Sequence, residues 1–466
     1  MNVCFFSNFD KTIFFRKLQV RLEKDSRNTY YWVCSSPKWK QWLLEEGVKD
    51  KFILDISFTN KKYLKFIKSP EFELIKEELY SIESKINLSI NYIILMDRNL
   101  RRYKRDFSTA YILYVYYLIK NFYKENNIET IFSEVTHAAE VLSIETSFFL
   151  GVSHYNISQL AIPGNKFSFF KTFANTEIFN PHKKVNDSIA NYDYAISALI
   201  NKTKPKYYFS QLKQPRFSGL WIKKFFNYLI DNSSYNGDCT ESGVWLRTLK
   251  KTLLLWNTFF LNNCVRFYSP LPTDSYVLYF WQRQPEATID LFAGLFSNQV
   301  ELLKNISRCS PCNLKIFVKF HPNGVGELSS SQIITLLRIP NLYIINYNTE
   351  SHSLIMKSKA VITITGTVGF EAAMLNKLVI MFGDMYFDKL SKIIKINSYT
   401  ELKNLLFKIE QVCAETAYNV EEDRLLLNEI YSNAFDGIIS DPKTDIDCIN
   451  NNNIEIVSNA FYYIVE

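Results

Sequence analysis

Residues 361–383 read VITITGTVGFEAAMLNKLVIMFG, and this stretch decides the fold class. A short apolar run is followed by a cluster of threonines and glycines, by apolar residues at helical spacing, and by a second apolar run. Strand, turn, helix and strand in this order form a βαβ unit, which requires a parallel sheet. The whole chain has only 13 glycines, so two in one turn indicate a backbone that lies close to another group.

The same alternation of strand and helix patterns extends over residues 2–157 and returns over residues 275–383. Within the first block, LSINYIILMD at 88–97 is interpreted as one of the strands. Alternation of this kind is typical of parallel sheets with helices on both faces. We therefore predict an α/β protein with two doubly wound domains and a ligand cleft between them, at the carboxyl ends of the strands.

A chain of 466 residues is too long for one hydrophobic core, and two domains are the natural division. We predict a Rossmann-like first domain at 1–200, a basic and aromatic helical connection at 201–272, a second Rossmann-like domain at 273–440 and a C-terminal helical tail at 441–466.

The net charge of +7 is modest, and we expect no nucleic-acid partner. Basic residues are concentrated in two runs, RNLRRYKR at 98–105 and NKTKPKYYFSQLKQPR at 201–216. Such runs are interpreted as solvated surface, and the alternative is contact with the anionic face of the inner membrane, because Trp and Phe follow the second run.

The N-terminus lacks the basic and apolar pattern of a signal peptide, and no apolar stretch reaches the ~20 residues that span a bilayer. The closest pair of cysteines, Cys309 and Cys312, has no second pair or histidine nearby to complete a zinc site. We expect a cytoplasmic protein with reduced thiols, with peripheral membrane contact as the alternative.

Polar residues follow three strands of the second half. VKFHP places His321 and Pro322 at a strand end, where an imidazole can bind a phosphate or protonate a leaving oxygen. WQRQPEAT at 281–288 offers a second polar loop. The turn at 365–369 opens a helix, whose N–H groups and partial positive charge suit a phosphate. The alternative for that turn is a plain tight connection with a threonine cap.

In the first half, FSEVTHAAE at 132–140 places Glu134 and His137 where a strand runs into a helix, with Thr136 as the candidate N-cap and Glu140 one turn on. A carboxylate at that edge can act as general base on a hydroxyl. The alternative is a charge that only stabilises the helix N-terminus.

Three of these motifs, QRQPEAT at 282–288, VKFHP at 318–322 and ITITGTVGFEAAMLNKLVIMFGDMYF at 362–387, resemble in this order the capsule polysaccharide biosynthesis family. That family includes the Kdo transferases of capsule assembly. SEVTHAAEVLS and IPGNKFSFF, within 133–170, resemble its N-terminal segment. Asn376 and Leu378 depart from the glycine and proline of the family's last motif.

The resemblance implies the GT-B fold of two facing Rossmann-like domains and the transfer of a sugar from a nucleotide donor. It implies that His321 and the turn hold the nucleotide and its phosphate, and that Glu371 contacts the ribose or base. The full set expected at the donor is Gln282, Arg283, Gln284, Glu286, Lys319, His321, Pro322, Thr365, Gly366, Thr367, Gly369 and Glu371.

We predict a glycosyltransferase of bacterial surface polysaccharide synthesis that needs no metal or other cofactor. Glu134, His137 and His321 are the candidate catalytic residues, with Glu134 as the base. The predicted partners are a nucleotide sugar and a glycan or glycolipid acceptor. A CMP-linked acidic sugar, such as Kdo or a nonulosonic acid, is favoured because the segment 358–383 has only two lysines, neither in the turn. The alternatives are a sugar-nucleotide epimerase or hydrolase, and a non-catalytic scaffold for capsule assembly or export.

Overall fold

The computed structural model describes residues 1–25, 27–160, 162, 164–181, 193–197 and 244–465. Most of the predicted connection at 201–272, including the basic run at 201–216, lies outside these residues. Of the connection, helix α8 is described, over Val244–Cys264. No helix in the described ranges combines the length and the apolar character needed to cross a membrane.

The first domain alternates strands and helices, as the sequence predicts. Its strands are β1 (Asn2–Phe6), β2 (Thr29–Cys34), β3 (Ile53–Asp55), β4 (Thr130–Ser133), β5 (Ser153–Gln159), β6 (Lys166–Phe170) and β7 (Ile178–Phe179). Its helices are α1 (Lys11–Asp25), α2 (Pro37–Glu45), α3 (Asn60–Phe66), α4 (Glu71–Ile82), α5 (Ile90–Met96), α6 (Arg105–Glu125) and α7 (Ala138–Leu150). Strands β1 to β5 are parallel, and β6 and β7 add an antiparallel edge.

The second domain is built on a fully parallel six-stranded sheet. Its strands are β8 (Tyr276–Trp281), β9 (Lys315–Phe320), β10 (Leu342–Ile345), β11 (Ala360–Thr363), β12 (Leu378–Met381) and β13 (Ile393–Lys395). The helices from here to the C-terminus are α9 (Ala287–Asp290), α10 (Gln299–Cys309), α11 (Ser330–Leu337), α12 (Ser351–Lys357), α13 (Thr367–Met374), α14 (Tyr399–Phe407), α15 (Ile409–Glu415), α16 (Val420–Asn433) and α17 (Asn451–Val465). The predicted class of two α/β domains with parallel sheets is confirmed.

Each sheet reverses its strand order at one place. The first sheet has the order β6-β5-β4-β1-β2-β3, and the second has the order β10-β9-β8-β11-β12-β13. The chain therefore leaves β1 and β8 in one direction and later returns to add β4 and β11 on the other side. Ligands of such sheets bind in the crevice outside the carboxyl ends of the strands at this switch point. The polar segments at 282–288, 365–369 and 134–137 follow β8, β11 and β4.

The segment at 88–97 was predicted as a strand, and that prediction is wrong. It forms helix α5, in which Ile90, Ile93 and Met96 are buried at a spacing of three residues. The Ser89 hydroxyl accepts a hydrogen bond from the N–H of Tyr92 and caps the helix. An apolar run of this length fits either structure, and the cap and the spacing favour the helix.

The C-terminal residues belong with the first domain, whereas the sequence division assigned 273–440 to the second domain and 441–466 to a separate tail. Strand β14 (Phe435–Asp436) pairs antiparallel with β6. Helix α17 then packs on α1, where Arg21 forms an ion pair with Glu455 at 2.5 Å. The apolar face of α17 makes this return favourable, because it completes the core under β1 and β4.

Helix α17 should stabilise the first domain strongly. Phe461 is fully buried, with its ring 4.7 Å from that of Phe132 and 5.1 Å from that of Phe169. We expect Phe461→Ala to lower the free energy of unfolding by about 3–5 kcal/mol in urea titrations, as for other buried aromatic truncations. Ile456→Ala, at a 39% exposed position of the same helix, is the control. Equal small effects of both variants would show that α17 is a loosely attached tail.

Candidate functional site

The second-domain part of the site lies at the carboxyl ends of β9, β8 and β11, which are neighbours in the sheet. His321 follows β9, Gln282 follows β8, and the turn 364–366 joins β11 to α13. The structure therefore brings together the three motifs that the sequence analysis assigned to the donor. Whether they bind a nucleotide stays a prediction.

The side chain of Gln282 holds the turn after β11. Its Oε1 accepts hydrogen bonds from the N–H groups of Ile364 at 3.1 Å and Thr365 at 3.0 Å, and its Nε2 donates to Oγ1 of Thr365 at 3.2 Å. Oγ1 of Thr365 itself donates to the carbonyl of Thr288. These two predicted donor-binding residues are therefore engaged in fixing the backbone on which a ligand would lie.

The glycines of the turn have a packing reason that the sequence analysis did not foresee. A Cβ on Gly366 would lie 2.7 Å from Oγ1 of Thr363, which accepts a hydrogen bond from the Gly366 N–H. A Cβ on Gly369 would lie 3.0 Å from the Cγ2 of Thr363. Both glycines thus allow α13 to approach the sheet closely. Gly366, and not a threonine, occupies the N-cap position of α13.

The loop after β8 is held by carboxylates of its own domain. Nε of Arg283 donates to Glu327 at 3.0 Å, and the backbone N–H of Gln284 donates to the other oxygen of Glu327 at 3.2 Å. The side chain of Gln284 donates to Oδ1 of Asp290 at 2.8 Å. Burial raises the pKa of Glu327, and the adjacent Arg283 opposes that rise. Arg283, the positively charged residue expected to bind the donor, therefore already forms an ion pair with Glu327.

Lys319 was expected at the donor, and its position indicates a structural role. The residue is only 5% exposed, and its Nζ donates to the backbone carbonyl of Tyr347 at 2.9 Å. A buried ammonium needs such a partner, because an unpaired buried charge is costly. The hydrogen bond thereby joins β9 to the segment after β10.

The remaining expected donor residues lie at accessible positions of the same edge. His321 is partly exposed, and its backbone carbonyl accepts from Gly324 in the short 3₁₀ turn that begins at Pro322. Thr367 is exposed at the first turn of α13, and Glu371 is half-buried one turn on. A ligand that lies across the ends of β9 and β11 can reach these side chains.

In the first domain, Glu134 follows β4 and faces the end of β1. Its Oε2 forms an ion pair with Nζ of Lys11 at 2.6 Å and accepts from Nδ2 of Asn8 at 3.0 Å. Its other oxygen, Oε1, has no hydrogen-bond partner among the described residues. This carboxylate is held in place with one oxygen available, which is the arrangement that a positioned base requires.

His137 stands at the N-cap position of α7, one residue beyond the Thr136 that the sequence suggested. Its backbone N–H donates to Glu140 at 2.9 Å, and its Nδ1 lies 2.9 Å from Oγ1 of Thr136. Its Nε2 is buried without a hydrogen-bond partner among the described residues. The next N–H, of Ala138, donates to Oδ2 of Asp97 at 2.9 Å.

Burial controls the ionisation of this pair. It lowers the pKa of His137 to about 4, although Asp97 acts in the opposite direction, and it raises the pKa of Glu140 to about 8. Both side chains are almost completely buried. The imidazole and the carboxyl are therefore predominantly neutral at pH 7, and burying them neutral avoids the cost of burying charges.

Arg101 and Tyr92 connect the two domains, a role that the sequence analysis missed. Nη1 of Arg101 forms an ion pair with Asp290 of the second domain at 3.1 Å, and the Tyr92 hydroxyl donates to the carbonyl of Leu291 at 2.7 Å. Nη2 of Arg98 donates to the carbonyl of Thr136 at 3.3 Å. The sequence showed the basic run, but its acidic partner is distant in the chain and could not be identified from it.

The charge of Arg98 acts on both switch points. It opposes the rise in the pKa of Glu140 in the first domain and of Glu286 in the second. The side chain of Glu286 is exposed, and desolvation by the surrounding protein raises its pKa. Arg98 therefore lowers the pKa of one carboxyl near each switch point.

In the described part of the chain, no group of three or more His, Cys, Asp or Glu side chains is arranged to hold a metal ion. Independence from metals stays a prediction.

Residues 273–390 match the family model described as capsule polysaccharide biosynthesis protein. The match covers the three motifs of the second domain and confirms the predicted resemblance there. The resemblance of the segment 133–170 lies outside the matched residues and stays a prediction. No curated protein matches the sequence.

Three solved structures are similar over much of the chain. The KpsC β-Kdo 2,7 transferase of Thermosulfurimonas dismutans is 14% identical over 75% of this chain and 90% of its own, with a TM-score of 0.35. The KpsC β-Kdo 2,4 transferase of that organism is 13% identical over 70% and 86%, with a TM-score of 0.30. The UDP-GlcNAc 2-epimerase of Neisseria meningitidis, bound to UDP-GlcNAc, is 12% identical over 93% and 98%, with a TM-score of 0.30. TM-scores this low carry no argument about reaction or substrate.

The ionisation of Glu140 should appear in the pH dependence of stability. Its pKa of about 8 lies above the 4.5 of an unperturbed carboxyl, so its contribution is full below pH 4.5 and is lost as the pH rises through 8. His137, shifted from 6.5 to about 4, contributes above pH 6.5 and loses its contribution towards pH 4. Of these two contributions to stability, only that of Glu140 therefore changes between pH 6.5 and 8.

We expect the wild type to lose up to ~1.4 kcal/mol of unfolding free energy per pH unit in that interval, relative to Glu140→Gln. Urea titrations at half-unit steps of pH measure the difference between the two curves. Glu77→Gln, at an exposed position of α4, is the control and should run parallel to the wild type. A Glu140→Gln curve that also runs parallel to the wild type would contradict the pKa assignment.

Proposed function

We propose that this protein is a glycosyltransferase of capsule or other surface polysaccharide synthesis, which transfers a sugar from a nucleotide-activated donor to a glycan acceptor. The second domain holds the donor at the ends of β8, β9 and β11. The first domain presents the acceptor hydroxyl at the ends of β1 and β4. The match of residues 273–390 to the capsule family model supports the choice of pathway.

The observation that carries the proposal is the meeting of the two switch points at residues 92–102. Arg101 pairs with Asp290 after β8, while Arg98 bonds the carbonyl of Thr136 after β4. Group transfer between two substrates requires that each be held at its own site with the reacting atoms adjacent. The contacts of this short segment with both strand ends support such an arrangement.

The start of α13 favours a donor with a single phosphate. Gln282 occupies the N–H groups of Ile364 and Thr365, and Thr363 occupies that of Gly366. In the described residues, the N–H groups of Thr367 and Val368 keep no such partner. Two N–H groups, the Thr367 hydroxyl and His321 suffice for one phosphate. A CMP-linked acidic sugar is therefore favoured over a donor with a diphosphate.

Glu134 removes the proton from the attacking acceptor hydroxyl through its Oε1, while Lys11 and Asn8 hold Oε2. The hydroxyl attacks the anomeric carbon, and the bond to the phosphate oxygen breaks. The developing negative charge on the phosphate is stabilised by the helix N-terminus and by His321. Closure of the cleft around both substrates excludes water, which would otherwise consume the donor.

Calorimetry with CMP and UDP tests the donor class. We expect CMP to bind more tightly than UDP, because the second phosphate finds no further N–H groups at α13. Saturation at 100 times Kd should add about 2.7 kcal/mol to the free energy of unfolding. Tighter binding of UDP would contradict the CMP assignment and leave a transferase with another donor. Release of the donor sugar that does not depend on added acceptor would instead indicate an epimerase or hydrolase.

His321→Ala should weaken nucleotide binding, because His321 follows β9 at the same edge of the sheet as the turn after β11. The expected loss is about tenfold or more in affinity, which corresponds to ~1.4 kcal/mol. His352→Ala, on an exposed position of α12, is the matched control. Unchanged nucleotide affinity and turnover in His321→Ala would remove this residue from the site.

Glu134→Gln should leave nucleotide affinity unchanged and lower kcat by roughly 10²–10⁴-fold, the usual cost of losing a general base. The amide keeps the shape of the side chain and its bond from Asn8, so the fold is preserved. The control is Asp388→Asn, which removes a carboxylate from the turn that follows β12. If Glu134→Gln turned over at nearly the wild-type rate, the base would instead be His137 or Asp97.

A further inference from the structure

A small cavity lies at the switch point of the first domain, where β1, β2 and β4 end and α7 begins. Its free volume is about 10 Å³, the space of about one water molecule. The lining residues are Ser7, Asn8, Phe9, Ser35, Ser36, Trp39, His137 and Glu140. Six of the eight residues have polar side chains, and the two apolar ones, Phe9 and Trp39, are aromatic.

Two of the lining residues each carry a buried polar atom without a geometric hydrogen-bond partner among the described residues. One is Nε2 of His137, a residue 3% exposed, and the other is Oγ of Ser7, also 3% exposed. Beside Ser7 lies the thiol of Cys34, which is only a weak hydrogen-bonding group. Buried polar atoms nearly always find a partner, in the protein or in a ligand. The two atoms come from the ends of β4 and β1, so a group between them would join both strands.

The ionisable groups around the cavity leave it without net charge. Burial keeps His137 and Glu140 neutral at pH 7, with Asp97 raising and Arg98 lowering the pKa of each. Glu134, which receives the Asn8 amide, is neutralised by Lys11. A neutral group that both donates and accepts a hydrogen bond fits such a site, whereas an anion would find no unpaired cation in it.

Phe9 lies at the mouth of the cavity in an unusual conformation. Its φ is +40°, a region in which non-glycine residues are uncommon. Its side chain is 41% exposed, and its ring centroid is 5.5 Å from that of His137. Backbone strain of this kind persists where the surrounding structure imposes it and is concentrated at functional sites. Here it holds an aromatic face in solvent beside the opening.

We propose that this cavity binds one hydroxyl group of a neutral acceptor sugar, between Nε2 of His137 and Oγ of Ser7, while the ring of the sugar lies on Phe9. The inference rests on the proposed function and names the chemistry of its acceptor. The hydroxyl held in the cavity is a neighbour of the one that reacts, because Glu134 shares Asn8 with the cavity wall. The cavity thus selects the orientation in which the acceptor meets the base.

The test uses the full chain with ¹⁵N-labelled histidine and methyl β-D-glucopyranoside as the sugar probe. We expect a saturable shift of the His137 Nε2 resonance, which His137→Gln identifies. His154, buried with its ring nitrogens bonded to Ser133 and Ser143, is the internal control and should not shift. Phe9→Gly and Phe9→Leu should each weaken the binding of the sugar about tenfold.

Two results would overturn the inference. One is a His137 resonance that does not shift when the sugar is added, which would mean that the cavity holds only water. The other is a larger shift with inorganic phosphate than with the sugar. CMP binding is measured on the same sample, because it concerns the other domain. If CMP binds but the sugar causes no shift, only the assignment of the cavity is refuted. If no nucleotide binds, the proposed function is refuted.

Discussion

The carboxylate of Asp97 fixes the geometry on which the rest of the site depends. Its Oδ1 accepts from the N–H groups of Asn99 and Leu100, and its Oδ2 accepts from Ala138 at the start of α7. A buried carboxylate with three such bonds is strongly held, since each hydrogen bond to a charged group contributes about 1.5–3 kcal/mol. Asp97 therefore sets the position of Arg98 and Arg101 relative to β4. Through the ion pair of Arg101 with Asp290, it also contributes to the contact with the second domain.

Periodicity in the sequence was sufficient to predict the parallel strands of both sheets within residues 2–157 and 275–383, but not β6, β7 and β13, which lie outside those two blocks. Short apolar runs separated by helical spacing correspond to β1, β2, β4, β8, β9, β11 and β12 within a few residues. The pattern was not sufficient for α5, where an apolar run fits either structure, or for β14, a strand of two residues. The return of α17 to the first domain also depends on contacts between the two ends of the chain, and local pattern contains no information about them.

The sequence predicted the location of the candidate site better than the role of each residue in it. Motif reading found the strand ends, because polar residues after apolar runs are visible in the sequence. It assigned to a ligand several residues that serve the protein itself, such as Gln282, which holds the turn, and Lys319, which bonds a buried carbonyl. A single sequence does not distinguish a residue that only lies near a site from one that contacts a ligand. Only the hydrogen-bond partners separate the two.

Under the proposed function, charge is distributed unequally between the two crevices. The first presents neutral groups around His137, while cations at the second are already paired, Arg283 with Glu327 and Arg101 with Asp290. The proposed donor is therefore held by the N–H groups of α13, the Thr367 hydroxyl and His321, and not by an arginine, while the pair of Arg101 and Asp290 crosses the domain interface. Oδ2 of Asp290 has no hydrogen-bond partner in the described chain, so this pair is held by one oxygen. The contact between the domains therefore rests in part on one oxygen of Asp290 and on the hydrogen bond from Tyr92 to the carbonyl of Leu291, which are separate from the groups proposed to bind the donor.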